Sequence, residues 1–279
     1  MKQQATDMTG MTQLLELMAK LRDPEHGCQW DRKQTMPSLI GHTLEEVYEV
    51  VDAVEQGDPA QIRDELGDLL FQIVFYARIA EENDQFRFDD VARQVFSKLL
   101  QRHPHVFPDG TLESFGSESA AATDPQEVER NWEAIKNASR KEAGGEGSSV
   151  LDDVPRALPA MARARKLQKR AASKGFDWTE ARQVLAKLDE EIEELEQAML
   201  DEDTQAVSAE FGDLLFSCIN LSRHLRVDPE QALRESNARF EQRFRHVESR
   251  AGQSGGDLQD HKPEQLELWW EEAKRLGGS

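Results

Sequence analysis

Cysteine is nearly missing from this chain of 279 residues: only Cys28 and Cys218 occur, far apart and in no ligand spacing. That excludes a disulfide framework and a cysteine-built zinc site, and it fits a reducing cytoplasm. Long apolar runs are missing too. The longest nearly apolar stretch, Leu69 to Ala77, is interrupted by Gln72 and is too short to cross a bilayer, and the opening MKQQATDMTGMTQLLELMAK holds no apolar signal core. The chain is therefore expected to be neither secreted nor membrane-spanning. Positive charge is scarce, since 34 Lys and Arg stand against 54 Asp and Glu for a net charge of -20. A duplex nucleic-acid binder needs a basic footprint, so nucleic-acid polymers are not expected as partners and a divalent cation is the natural one. Aromatics make up 7% and hydrophobic residues 38%, with 32% charged and a mean hydropathy of -0.70. That balance supplies narrow apolar stripes on amphipathic helices, not long buried strands.

What is present is a duplication. Residues 45–72, EEVYEVVDAVEQGDPAQIRDELGDLLFQ, align without a gap to residues 190–217, EEIEELEQAMLDEDTQAVSAEFGDLLFS, at a constant offset of 145. Flanking matches follow at slightly different offsets: CQWD (28–31) with GFDW (175–178), SKLLQRHPHV (97–106) with ARFEQRFRHV (238–247), and NWEAIK (131–136) with LWWEEAK (268–274). The whole unit repeats. Between the copies, PDGTLESFGSESAAATDP (108–125) and GGEGSS (144–149) read as linkers, and AGQSGGDLQDHKP (251–263) is the second copy's own insert. The expected domains are an N-terminal helical repeat over 1–143, a linker over 144–150 and a C-terminal repeat over 151–279.

Apolar spacing and caps predict helices at about 12–22, 43–56, 60–83, 89–102 and 126–142, then 156–173, 179–200, 203–226, 229–250 and 263–276. No run alternates as a half-buried strand would. The predicted fold class is all-α, with two tandem helical bundles.

On this framework Glu46 and Glu49 lie three apart on one helix, and Glu65 and Asp68 three apart on the next. Each pair shares a helix face, so two facing helices gather four carboxylates. The second copy repeats the pattern as Glu191, Glu194, Glu210 and Asp213, with the same step of 16 residues from the second Glu to the third. Acidic pairs three apart are common in so acidic a chain and usually mark solvated faces. The same double pair in both copies, inside the same apolar helices, calls for more. Four oxygen ligands with room for water and phosphate suit Mg²⁺. A capping box, Thr43 with Glu46, offers a rival account of the first copy, but Leu188 stands where the second copy would need the cap. Gly67 and Gly212 sit inside predicted helices at a cost of about 1 kcal/mol relative to Ala, which points to close helix packing or to the approach of a helix or ligand beside the acids.

The E-x-x-E and E-x-x-D pair in EIEE (191–194) and EFGD (210–213), preceded by KLQKRAASKGFDW (166–178), resembles the MazG family. The resemblance extends through LRDPEHGCQWD (21–31), ELGDLLFQIVFYA (65–77) and RFRHVE (243–248), nearly the whole chain in the family's two-repeat form. It implies an all-α nucleotide pyrophosphohydrolase fold, dependence on Mg²⁺ with Mn²⁺ as a substitute, homodimerisation, and cleavage of ribo- and deoxyribonucleoside triphosphates to monophosphate and pyrophosphate, with a role in nucleotide-pool housecleaning or regulation. It also implies metal ligation by Glu191, Glu194, Glu210 and Asp213, phosphate contacts by Lys187, Arg239 and Arg243, and a nucleotide contact by Trp270. The first copy departs from that pattern: His42 replaces Lys187 and Lys98 replaces Arg239, so activity is expected in the second copy. Glu190, beside Glu191, is the candidate general base. Arg163, Arg165, Lys166, Lys169 and Arg170 read first as a solvated face or as ion-pair donors. Trp132 and Trp269 read as core or interface aromatics.

Three rival classes are weighed against this. A di-iron helical bundle needs Glu-x-x-His, and none of the seven histidines has Glu three residues before it. A P-loop phosphatase needs G-x-x-x-x-G-K-[ST], which is missing. A metal-stabilised helical sensor without catalysis stays open for the first copy.

Overall fold

The computed structural model describes residues 9–116, 124, 127–128, 131–132, 135 and 149–277. Among these every regular element is helical. The chain divides into two compact units, Met1–Ala143 and Gly144–Ser279. Of the helix predicted over 126–142, Glu127, Val128, Asn131, Trp132 and Ile135 are described and helical, while its other residues and most of the glycine-rich linker lie outside the described residues.

In the first unit, α1 (Gly10–Leu21), the short α2 (Gln29–Lys33), α3 (Ile40–Gln56), α4 (Pro59–Glu82) and α5 (Phe88–Arg102) follow one another. Helix α3 starts earlier than its sequence suggests because a 3-10 turn at Pro37–Leu39 runs straight into it. Thr43 is thereby an interior residue, its hydroxyl donating to the Leu39 carbonyl and lying 2.9 Å from the Tyr76 hydroxyl. It cannot act as an N-cap, so the capping account of Glu46 fails. Helices α3 and α4 pack side by side and α1 crosses α4. Met18, Leu39, Val74, Phe75 and Ile79 form the buried centre. Burying each of the larger side chains stabilises the unit by about 1.5–3 kcal/mol. Arg22 caps this centre, its guanidinium 5.3 Å over the Phe75 ring and 2.6 Å from Glu82, which Arg78 also holds.

In the second unit, α6 (Ala160–Ala172), α7 (Ala181–Leu200), α8 (Thr204–His224), α9 (Pro229–Gln253) and α10 (Pro263–Leu276) repeat the plan. Glu180 and Gln183 form the capping box of α7, so Glu191 lies deep in the helix with no capping role. Helices α7 and α8 form the main pair, α6 lies on α8, and α10 packs on α9. Gln168 on α6 donates to the Phe216 carbonyl at 2.8 Å, pinning α6 to α8. Val247, Ala251 and Trp269 form a second small core between α9 and α10.

The two hairpins that carry the acids are built alike. Helix α3 ends at Gly57, whose φ of +77° turns the chain, and Asp58 then caps α4 by accepting from the Ala60 amide. In the second unit Glu202 takes the turn at φ +54° and Asp203 caps α8 through Gln205 and Ala206. Glycine is the low-cost residue for that conformation, so the second hairpin carries a penalty of about 1 kcal/mol at Glu202.

Candidate metal and nucleotide site

The turns fix which acids meet. Glu49 lies eight residues before Gly57 and Glu65 eight after it, while Glu46 and Asp68 stand eleven before and eleven after. Glu194 and Glu210, then Glu191 and Asp213, are spaced identically about Glu202. In an antiparallel helix pair, residues equidistant from the turn face each other, so the hairpin alone pairs the carboxylates across the groove.

In the second unit, Glu191, Glu194 and Glu210 each offer a carboxylate oxygen, and these oxygens lie within 4.8 Å of one another. In the first unit Glu46, Glu49 and Glu65 do the same. Asp68 and Asp213 are not members of these groups, and both are exposed. Asp68 still acts on Glu46 through its charge. Burial first, then Asp68 and Glu49, push the Glu46 carboxyl above its ordinary range, with the Gln72 amide pulling the other way. Burial first, then Glu49 and other acids, also raises Glu65.

The two groups differ in what faces their most shielded carboxylate. Glu191 is only 5% exposed and meets the Lys187 ammonium at 3.0 Å, one turn back on α7. The same ammonium reaches Glu190 at 2.7 Å. Its proton is held well above the usual lysine range, first by the hydrogen bond to Glu190 and next by Glu191. Glu46 instead faces Gln72, whose side-chain nitrogen lies 3.4 Å away and whose carbonyl oxygen is buried without a partner. His42, at the Lys187 position, lies 3.9 Å from Glu45 and edge-on to Trp30. Sequence reasoning passed over Gln72. Its signal was its place seven residues after Glu65 on one α4 face.

The remaining candidates are placed as follows. Glu190 is exposed and turned to Lys187, outside the three-carboxylate group. Arg239 and Arg243 lie on α9, the former exposed and 4.0 Å from Glu235, the latter half-buried. Trp270 on α10 is half-buried, its ring centroid 5.4 Å from that of Phe240 on α9. On α6, Arg165 is paired with Asp228 and the buried Arg170 with Asp153. These two arginines are structural ion-pair donors. Trp132 and Trp269 each meet a histidine edge-on at 4.9 Å, His103 and His261 respectively. Gly67 and Gly212 face open space, since a Cβ at either would meet nothing within 4 Å, and close packing within the chain does not explain them.

All donors in the two acidic groups are carboxylate oxygens, with no His or Cys among them. That set suits a hard divalent cation and can hold a polyphosphate through it.

Known proteins bear on both copies. Residues 34–107 match the model of the MazG nucleotide pyrophosphohydrolase domain, and residues 158–240 match that of phosphoribosyl-ATP pyrophosphohydrolase. The nucleoside triphosphate pyrophosphohydrolase of Escherichia coli K12 is 43% identical over 272 residues, covering 96% of this chain and 98% of that protein. The nucleoside triphosphate pyrophosphohydrolase/pyrophosphatase MazG of Thermotoga maritima is 40% identical over 262 residues, covering 94% of each. An uncharacterised protein of Bacillus subtilis, YabN, is 38% identical over 259 residues that make up 92% of this chain and 50% of its own length. The duplicated acidic hairpin, the all-helical fold and this similarity over nearly full length lead to one conclusion: the chain belongs to the MazG family of nucleoside triphosphate pyrophosphohydrolases.

Proposed function

We propose that the second repeat hydrolyses ribo- and deoxyribonucleoside triphosphates to the monophosphate and pyrophosphate, with Mg²⁺ held by Glu191, Glu194, Glu210 and Asp213 and Mn²⁺ able to replace it. The observation that carries the reading is the convergence of the Glu191, Glu194 and Glu210 oxygens within 4.8 Å beside the Lys187 ammonium. Asp213 would complete the set from the next turn of α8. When bound, the cation would neutralise phosphate charge and polarise the α-phosphate.

The chain's own groups supply the rest. A water oxygen bonds to the α-phosphorus, the bond from that phosphorus to the α,β-bridging oxygen breaks, and the bridging oxygen leaves with pyrophosphate. Glu190 accepts the proton lost by water. In the structure that carboxylate is tied to Lys187, and a bound triphosphate would compete for the same ammonium and free it. Lys187, Arg239 and Arg243 would bind the phosphates and stabilise the charge that builds on the leaving group. Trp270 would lie against the nucleoside.

The enzyme is proposed to act as a homodimer in the cytoplasm, in housecleaning or regulation of nucleotide pools. Ile192, Phe211 and Leu215 on α7 and α8 remain about half exposed in the single chain, an apolar surface that a second copy would cover. Both cysteines are free and exposed, which fits a reducing compartment, and no helix among the described residues is long and apolar enough to cross a membrane.

The test is incubation with several triphosphates and Mg²⁺, reading pyrophosphate against orthophosphate. Release of pyrophosphate with the monophosphate supports the reading, and orthophosphate with the diphosphate sinks it.

A further inference from the structure

The hairpin rule that gathers the acids applies equally to the next pair of helices. Asp213 lies thirteen residues before Arg226, whose φ of +58° turns the chain between α8 and α9, and Arg239 lies thirteen after it. Glu210 stands sixteen before and Arg243 seventeen after. Were α8 and α9 packed side by side, both arginines would stand over the acids of their own chain. The two helices do not form such a pair. Helix α8 rests on α6 and α7, whereas α9 is fastened near its start by the Arg165–Asp228 pair and near its end by the Val247, Ala251 and Trp269 core. About 28 Å of helix separates those fastenings. Along it every residue from Glu235 to Gln242 is exposed, and Arg239 and Arg245 pair with Glu235 and Glu241 of the same helix.

This bare stretch is not a solvated spacer. Leu233, Phe240 and Phe244 fall on one face of α9 and are 49%, 56% and 39% exposed. Phe240 lies against Trp270, so the apolar stripe continues onto α10. Beside it, residues 239–246 carry three arginines against one glutamate, whereas residues 187–213 on the acid hairpin carry eleven acids against one lysine. The arm made of α9 and α10 is thus complementary in charge to the hairpin, and both present apolar side chains to water. For the arm to reach its own hairpin, α9 would have to swing about Arg226. That movement would break the Arg165–Asp228 pair, and Asp228 is also the residue that caps α9. A second copy can supply the hairpin with α9 held as it is.

We propose that the α9–α10 arm docks on the α7–α8 hairpin of a second copy of this chain. Each site then takes Lys187 and the metal-binding acids from one chain and Arg239, Arg243 and Trp270 from the other. The inference rests on the roles proposed above for these residues and adds which chain supplies them. A two-fold axis forms the contact twice, covering Ile192, Phe211 and Leu215 of each hairpin with Leu233, Phe240 and Phe244 of the opposite arm. One chain alone therefore holds two half-sites and no whole one.

The test pairs two crippled chains. Glu191→Ala removes a ligand acid, and Arg243→Gln with Trp270→Ala removes the arm's contacts; each parent dimer is expected to release pyrophosphate about 100-fold more slowly than wild type. The two are co-expressed with different affinity tags and the mixed dimer is purified on both. One of its sites collects both defects and the other collects none, so about half the wild-type rate is expected. A mixed dimer no faster than its parents overturns the proposal, because each site would then draw all its parts from one chain. A second readout needs no turnover. Benzoylphenylalanine introduced at Phe240 and exposed to light is expected to give a covalent dimer joined through a peptide of α7 or α8. A cross-link that stays within one chain, or a chain that is monomeric at every concentration, also overturns the proposal. Should the wild type release no pyrophosphate, the proposed function fails and the cross-link alone decides where the arm lies.

Discussion

Lys187 lies 3.0 Å from Glu191, an ion pair one helical turn long in which the carboxylate is almost wholly buried and the ammonium half-exposed. The lysine thus compensates a buried charge where the first copy has only Gln72 against Glu46. Lys187→Met keeps chain length and helix propensity but leaves Glu191 without its cation. The metal-free protein is expected to lose about 1–2 kcal/mol, at the low end for a broken pair because the lysine meets solvent. Excess Mg²⁺ should recover most of that loss. Denaturant titration with and without Mg²⁺ checks both statements, and equal losses in the two conditions would contradict them. Turnover is a separate readout, expected to fall by about 100-fold in kcat/KM as a phosphate contact is removed.

Removing a ligand acid should separate the two copies. Glu191→Ala and Asp213→Ala are each expected to lower pyrophosphate release by about 100-fold or more while helicity stays near wild type. Glu46→Ala should have a smaller effect. The measurement is initial rate at saturating Mg²⁺ beside circular dichroism. An equal loss from Glu46→Ala would move the assignment of activity away from the second repeat.

Much of this arrangement was legible in the sequence, for a physical reason. The E-x-x-E and E-x-x-D spacing places each pair on one helix face, and the constant offset of 145 puts the same turn between the pairs in both copies, so periodicity brings three glutamates together in each copy, while Asp68 and Asp213 stay outside the groups. Contacts set by the ends of elements were not legible. Thr43 reads as a cap until the Pro37–Leu39 turn is seen to run into α3 and bury it in the helix. Helix α2 went unseen because Cys28, at its N-cap, makes no side-chain cap and the helix has only five residues. The orientation of Glu190 toward Lys187 depends on rotamers that no local pattern encodes.

The raised carboxyls of Glu46 and Glu65 set a pH dependence for the metal-free protein. Each takes up a proton more readily in the folded state than at its ordinary value of 4.5. The folded state therefore binds more protons in that window, and stability falls as pH rises from about 4.5 through the folded-state values. Glu46→Gln removes one such group. Its melting temperature relative to wild type is expected to climb as pH rises through this window and then level off. Mg²⁺ should reverse the ranking near pH 7, because only the wild type keeps the ligand. Thermal melts at several pH values in EDTA and in Mg²⁺ test this, and a difference independent of pH would contradict it.

Gly67 and Gly212 each face open space within their own unit. Alanine at either position therefore fits the chain and should stabilise its helix by up to about 1 kcal/mol. Gly212→Ala should nevertheless slow turnover, since its methyl would occupy the open side of α8 beside Asp213, where the triphosphate is proposed to lie. Gly67→Ala should not slow it. Denaturant midpoints and initial rates on the pair decide the matter, and a Gly212→Ala enzyme that is both more stable and fully active would show that nothing approaches there.

Ile192, Phe211 and Leu215 are 44%, 52% and 50% exposed on the two helices that carry the acids. Left in water, side chains of this size forgo about 1 kcal/mol or more apiece of burial. A stable dimer covers about 800 Å² per partner, with its energy concentrated in central apolar side chains. Phe211→Ser with Leu215→Ser is expected to weaken association at least tenfold while leaving the buried core untouched, since neither residue belongs to it. Sedimentation velocity over a concentration series reads the change directly. A wild-type chain that sediments as a monomer at every concentration would remove dimerisation from the proposed function, whereas the acid hairpin, built within one chain, would stand.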